Sequence, residues 1–328
     1  MRSFKNLLFW LFILAVSGIG LAGYYALHQL PISPLPFDFE LKQGSSLKSA
    51  ARQMQHAGVI KHDWMFVLLA RSLGKAKHIK PGNYQLDTPL NPLQLLNIIS
   101  QGRVEQTEIT IIEGTAFKQL RAALNANSSI RHDSLKLSEA EILQRIGATE
   151  QFAEGLFFPD TYNLGTGSSD LAVLKRAYQL MQRNLQQSWK NRDANLPLET
   201  PYQALILASI VEKETGKAGD RPMIASVFIN RLKINMPLQT DPTVIYGLGD
   251  RFDGNLRKID LLTDSSHNTY TRPGLPPTPI AFPGLAALQA TLHPANSKAL
   301  YFVAKGDGSS YFSSNLNEHI NAVNKYQK

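Results

Sequence analysis

Apolar and polar positions follow three patterns along the 328 residues. Residues 7–27, LLFWLFILAVSGIGLAGYYAL, form one run without a charged side chain. At about 1.5 Å of rise per residue, that run matches the roughly 30 Å hydrocarbon core of a bilayer. From Phe37 onward the pattern becomes short alternations and helical stripes. Phe37, Phe39 and Leu41 alternate as a strand. Gly44 then makes a turn, Ser45 or Ser46 offers a cap, and Leu47, Ala50, Ala51 and Met54 recur at helical spacing. Helices are predicted over 63–73 and 92–100, with a PGNY turn at 81–84 between them. A buried strand at 108–112 opens a longer region with helices near 116–125, 138–146, 170–190, 201–215 and 221–233. Gly/Pro-rich loops fill 235–284 and a helix covers 285–291. ALYFVA (299–304) and SYFSS (310–314) pair as a hairpin across Gly306-Asp307-Gly308. Strands and helices do not alternate strictly, so the expected fold class is α+β rather than a doubly wound sheet.

Charge gives the first run a direction. Arg2 and Lys5 precede it and only His28 follows closely, which leaves the short N-terminus cytoplasmic by the positive-inside rule. The rival reading is a cleaved signal peptide. Its apolar core would be about 7–15 residues and would end in a small-x-small site, whereas this run is longer and is followed by Leu30-Pro31. The sequence therefore predicts a cytoplasmic tip and single transmembrane anchor over 1–28, a Pro-punctuated linker over 29–37, and a large part beyond the membrane. Composition is that of a globular chain, 43% hydrophobic and 18% charged. The net charge of +8 is spread thinly. With no basic block and no aromatic-interleaved basic stretch, nucleic acid is not the expected partner. There is no cysteine, which removes disulfides, thiolate metal sites and cysteine nucleophiles.

Few segments offer chemistry. The eight histidines make no HExxH and no pair at helical spacing, so no metal site is expected. Phosphate loops, dinucleotide fingerprints and GxSxG elbows are absent, and no cofactor is expected. Ser209 and Lys213 stand four apart, the spacing of a Ser–Lys dyad, but a solvent-facing lysine beside a small helical residue is the commoner origin of that pattern. LASIVEKETG (207–216) is more informative. Glu212 and Glu214 are two apart on a helix, about 200° around it, and cannot share one site. Glu214 shares its side with Leu207, Ile210 and Val211, and Thr215-Gly216 reads as the helix end. Burial and the negative end of the helix dipole both raise a carboxyl pKa, as a general acid near neutral pH requires. The alternative is an ion pair of Glu214 with Arg221 or Arg231. Glu212 is expected to face solvent or make a local pair. Around these residues, EGLFFPDTYNL (154–164), LQTDPTVIYGLG (238–249) and NTYTRPGLPPTPI (268–280) mix amides and hydroxyls with aromatic rings. That texture suits a sugar, although such residues also make turns.

Two resemblances organise these observations. The strand–Gly–Ser–helix start at 39–54 resembles the LysM fold, a small glycan-binding module, and the pattern recurs loosely at 109–124. ASIVEKET, SVFINRL, LQTDPTVIYG, NTY…GLPP, HPA (293–295) and YFVA, in that order and with the single N-terminal anchor, closely resemble the MltG (YceG-like) endolytic murein transglycosylases. The resemblance implies a LysM-like subdomain at 38–105 and a mixed α+β catalytic domain at 106–328. It also implies cleavage of the β-1,4 bond between N-acetylmuramic acid and N-acetylglucosamine in nascent strands, leaving a 1,6-anhydro end. Glu214, the second glutamate of EKE, matches the family's catalytic residue. Gln239, Asp241, Asn268 and Tyr270 match motif positions expected to line the glycan groove. Residence in the inner membrane, with the catalytic part in the periplasm, is implied likewise. So are penicillin-binding proteins and divisome or elongasome components as partners. The sequence departs from the usual motifs at Ser266-His267, Thr278 and Phe282. The competing expectation is a catalytically silent wall-binding scaffold that recruits synthesis enzymes.

Overall fold

The computed structural model describes residues 10, 17, 18, 20–32, 37–42, 44–86, 88–101, 106–165 and 168–327. Much of the apolar run, residues 7–9, 11–16 and 19, lies outside the described residues, as do 33–36 of the linker. Among the described residues, no helix is long and apolar enough to cross a membrane. The chain forms a mixed α+β fold of helices and three two-stranded sheets among the described residues. It divides into two compact units, one of residues 1–108, 129–131 and 163–168, the other of 109–128, 132–162 and 169–328.

In the first unit, β1 (Phe37–Leu41) pairs antiparallel with β2 (Gly82–Leu86), in register from Phe37↔Leu86 to Leu41↔Gly82. A turn is expected at 81–84, yet the segment forms a strand. Its alternation buries Tyr84 and Leu86 against the strand opposite, with the Tyr84 ring stacked on Phe39 at 5.3 Å. Helices α1 (Leu47–His56), α2 (Asp63–Ser72) and α3 (Pro92–Gln101) complete a single core around Met54, Phe66, Leu95 and Ile99. Ser46 caps α1 by accepting the Ser49 N–H at 3.3 Å. Leu30 and Ile32, which follow the apolar run, are part of this core.

The second unit is built around α7 (Pro201–Glu214). Every residue from Ala204 to Val211 is buried, so the helix is apolar all round rather than amphipathic. Thr200 caps it, and Pro201 in the first turn loses no hydrogen bond because its N–H would have had no partner there. Packed on it are α6 (Asp170–Lys190), α8 (Arg221–Lys233) and α11 (Leu285–Leu292). Helices α4 (Phe117–Ala126) and α5 (Glu139–Ile146) lie near the expected bounds. β3 (Gln106–Thr110) pairs with β4 (Thr161–Gly165), and the division between the units falls within both strands. The hairpin of β5 (Tyr301–Ala304) and β6 (Ser310–Ser313) forms across the expected turn, with Gly306 and Gly308 both left-handed.

Three helices occupy stretches not read as helical: α9 (Asp241–Leu248), α10 (Lys258–Leu262) and α12 (Leu316–Tyr326). α9 contains Pro242 and Gly247, which read as loop-formers, but Pro242 sits in the first turn, where proline is tolerated. α12 is polar, capped by Asn315, and buries only Ala322.

Candidate active site

The end of α7 fans three consecutive side chains into three different segments. Glu212 accepts the Gly284 N–H at 2.9 Å through one oxygen and faces Arg221 Nη2 at 3.4 Å through the other. Lys213 Nζ donates to the Gly114 carbonyl at 3.1 Å. Glu214 accepts a short hydrogen bond from the Thr240 hydroxyl. Because the residues advance by about 100° each, one helix end ties down three loops. The helix ends on Glu214, as expected from Thr215-Gly216, with Thr215 already extended and Gly216 not left-handed.

Glu212 does not face solvent. Its side chain is 6% exposed and its pair with Arg221 is buried. Of the two expectations for Glu212 the pair with a nearby residue holds, and solvent exposure does not, because α7 has no polar face to turn outward. With Arg221 committed to Glu212, the ion pair considered for Glu214 does not form there. Arg231 is buried as well, and its donors go to the carbonyls of Leu300, Pro237 and Leu238. No ion pair of Glu214 occurs among the described residues. Burial raises the Glu214 pKa to about 6. The Thr240 hydroxyl opposes that shift, the Asp241 charge adds to it, and the Arg231 charge opposes it.

The four expected groove residues belong to one laced structure beside Glu214. Thr240 N donates to Thr269 Oγ1 at 3.1 Å, the Thr243 and Thr269 hydroxyls lie 2.9 Å apart, and Gln239 N donates to the Thr269 carbonyl at 3.1 Å. Tyr270 donates its hydroxyl to Asp241 at 2.5 Å. Gln239 is exposed and sits at φ 49, a left-handed conformation unusual for a residue with a side chain. Asn268 lies beneath the surface at 1% exposure. Its amide donates to the carbonyls of Asp260, Leu261 and Thr263, and its oxygen accepts the Tyr270 N–H at 2.9 Å. With those bonds made, Asn268 shapes the turn that presents Tyr270. Sequence reasoning did not single out Thr240 and Thr269. Both lie within motifs already noted, but their pairing links segments 29 residues apart and leaves no periodic signal.

Ser209 is fully buried, accepts the Ile280 N–H at 3.0 Å and donates to the Ile206 carbonyl at 2.7 Å. It is a backbone clasp, and Lys213 is engaged elsewhere, so no Ser–Lys dyad exists. Among the described residues, no cluster of three His, Asp or Glu could hold a metal ion.

A cleft of about 1400 Å³ opens next to the helix end, with Lys213 and Pro242 on its wall. Glu154, Tyr246, His267 and Thr278 also line it. His267 and Thr278, two of the residues departing from the usual motifs, meet at 2.9 Å. Phe282, another of them, is fully buried and packs edge-on against Phe157 at 5.7 Å.

The YceG-like family profile matches residues 39–325. The chain belongs to the YceG-like family. A relative in Bacillus subtilis (strain 168), named endolytic murein transglycosylase, is 31% identical over 308 residues, covering 88% of this chain and 84% of that protein. One of the same name in Streptococcus pneumoniae (serotype 2, strain D39 / NCTC 7466) is 27% identical over 351 residues and covers 94% of this chain. This chain spans 63% of that longer protein. A crystal structure of a YceG-like protein from Listeria monocytogenes superposes with a TM-score of 0.54 at 29% identity, covering 87% of this chain and 98% of that one. The family's match takes in both units and all the residues that surround Glu214.

Proposed function

We propose that this chain is a membrane-anchored endolytic lytic transglycosylase of peptidoglycan, with Glu214 as its single acid and base. The observation that carries this reading is a desolvated carboxyl with a pKa of about 6, without an ion-pair partner among the described residues, in a member of a family whose relatives are named for this activity. Hydrolytic glycosidases usually divide the work between two carboxyl groups. Here one suffices if the second nucleophile belongs to the substrate. Protonated Glu214 gives its proton to the bridging oxygen between N-acetylmuramic acid and N-acetylglucosamine as the bond from that oxygen to C1 breaks. The carboxylate then takes the proton of the muramyl C6 hydroxyl, whose oxygen bonds to C1. The ring closes as a 1,6-anhydro end, no water is consumed and the acid is regenerated. Proximity within one sugar replaces a bound water.

Gln239, Asp241 and Tyr270 are assigned to the groove that holds the strand, and Asn268 to the turn beneath it. The run at 7–27 is assigned as a single-pass inner-membrane anchor with the bulk of the chain in the periplasm, residues 38–105 as a LysM-like module and 106–328 as the catalytic domain. Synthases of the wall, the penicillin-binding proteins, are the expected partners. The test is mass spectrometry of purified glycan strands incubated with the protein. New 1,6-anhydromuramyl ends support the reading. Strand binding without new ends sinks it in favour of a silent scaffold.

A further inference from the structure

Glu154 has no part in the chemistry assigned to Glu214, yet it is a buried carboxyl on the floor of the large cleft, 6% exposed. Both its oxygens accept the N–H of Phe117, at 3.0 and 3.2 Å, and the Tyr246 hydroxyl is close enough to favour its ionised form. No cation pairs with it among the described residues, and burial pushes its pKa up to about 7. Capping α4 alone would need only a neutral Ser or Thr, at far smaller desolvation cost. A perturbed carboxyl in a cleft is a mark of a working site.

The bonds continue beyond it. The Thr278 hydroxyl acts on Tyr246 from nearby, His267 Nε2 lies 2.9 Å from that hydroxyl, and Ser266 Oγ lies 3.1 Å from His267 Nδ1. The Tyr246 and His267 rings are 4.9 Å apart and tilted by 55°. All these residues line the cleft, and Phe117, Phe152 and Phe252 share the lining. Rings that receive the C–H faces of a sugar thus stand beside hydroxyl, imidazole and carboxyl groups that can bond its hydroxyls and acetamido group. A volume of about 1400 Å³ exceeds that of most small-molecule sites and suits an extended ligand. From Asp241, beside the Thr240 donor, to Tyr246 is five residues of α9, about 7.5 Å along the helix axis.

We propose that Tyr246, His267 and Thr278 form a distal subsite for an N-acetylhexosamine of the strand outside the cleaved bond, with Glu154 as the positioning residue that fixes Tyr246. The proposal rests on the glycan-cleaving reading above. It is tested with the full chain in detergent, on peptide-free glycan oligomers of increasing length. For the parent protein KM should fall as the oligomers lengthen. Tyr246→Phe and Glu154→Ala should flatten that dependence, raising KM on long oligomers about tenfold, the worth of one hydrogen bond to a polar or charged group. Glu154→Gln, which keeps an acceptor for Phe117, should restore most of it. The loss should fall in KM rather than kcat. Tyr246→Phe keeps the test decisive if Glu154→Ala does not fold. A parent protein that cleaves all lengths with equal KM overturns the subsite alone, as does Tyr246→Phe lowering kcat equally at every length. A parent protein that makes no anhydro ends at any length overturns the cleavage reading, and the subsite with it.

Discussion

The Thr240 hydroxyl donates to the Glu214 carboxyl, and Thr240 is itself held by Thr269 through its N–H at 3.1 Å. This bond favours ionised Glu214, while burial and the Asp241 charge favour the protonated form, which prevails in raising the pKa to about 6. The bond therefore tunes the acid downward. Thr240→Val should lift the Glu214 pKa further, moving the alkaline limb of kcat/KM to higher pH. Protein-observed NMR titration of the Glu214 carboxyl would measure the shift directly. A limb at unchanged pH would remove Thr240 from this role.

The pH profile itself follows from Glu214. A general acid must be protonated, so kcat/KM should decline as pH rises through about 6. Asp241 and Arg231 are the charged groups acting on it, in opposite directions, with the Thr240 bond lowering the pKa. Glu214→Gln should cost about two to four orders of magnitude in anhydro-end formation. Stability carries the same signature with its own sign. The folded pKa lies above the unfolded value, so this group's contribution is full below about 4.5 and is lost as pH rises through about 6. Glu214→Gln should therefore be the more stable protein at pH 8, by up to about 2 kcal/mol, and calorimetry at two pH values checks it.

Glu212 should behave as a structural residue. It and Arg221 are 6% and 12% exposed and lie 3.4 Å apart, so removing one leaves the other buried and unpaired. Glu212→Ala should lower stability by about 3 kcal/mol, seen as a reduced denaturation midpoint, and activity should fall only as far as the folded fraction does. The double variant with Arg221→Met should recover part of the loss. An inactive but fully stable Glu212→Gln would instead exchange the roles of the two glutamates.

The contrast between these glutamates shows how far the sequence carries. Helical geometry separated them and put Glu214 at the helix end. The stretch from Ala204 to Val211, apolar except for Ser209, is buried throughout in the fold and leaves Glu212 no outward face. The hairpin at Gly306–Gly308 and the capped start of α1 were legible because their signals are local. β2 was not, since its strand character depends on pairing with β1 some 40 residues away. The Thr240–Thr269 lacing and the cleft-floor position of Glu154 likewise arise from contacts between distant segments. Residue type alone does not announce them.

Gln239 offers a test in which stability and binding move in opposite directions. Its φ of 49 is a left-handed conformation that a side chain disfavours and glycine does not. The backbone is kept there by the Gln239 N–H bond to the Thr269 carbonyl at 3.1 Å, while the side chain is exposed beside the Glu214 groove. Strain retained at such a place is expected where the side chain serves binding. Gln239→Gly should relieve it and raise stability by about 1 kcal/mol, while raising KM for glycan strands because the amide is gone. Gln239→Ala keeps the strain and loses the amide, so it should share the KM defect without the gain in stability. Paired melting curves and steady-state kinetics on the two variants decide it. A glycine variant with unaltered KM would mean that Gln239 serves only the turn.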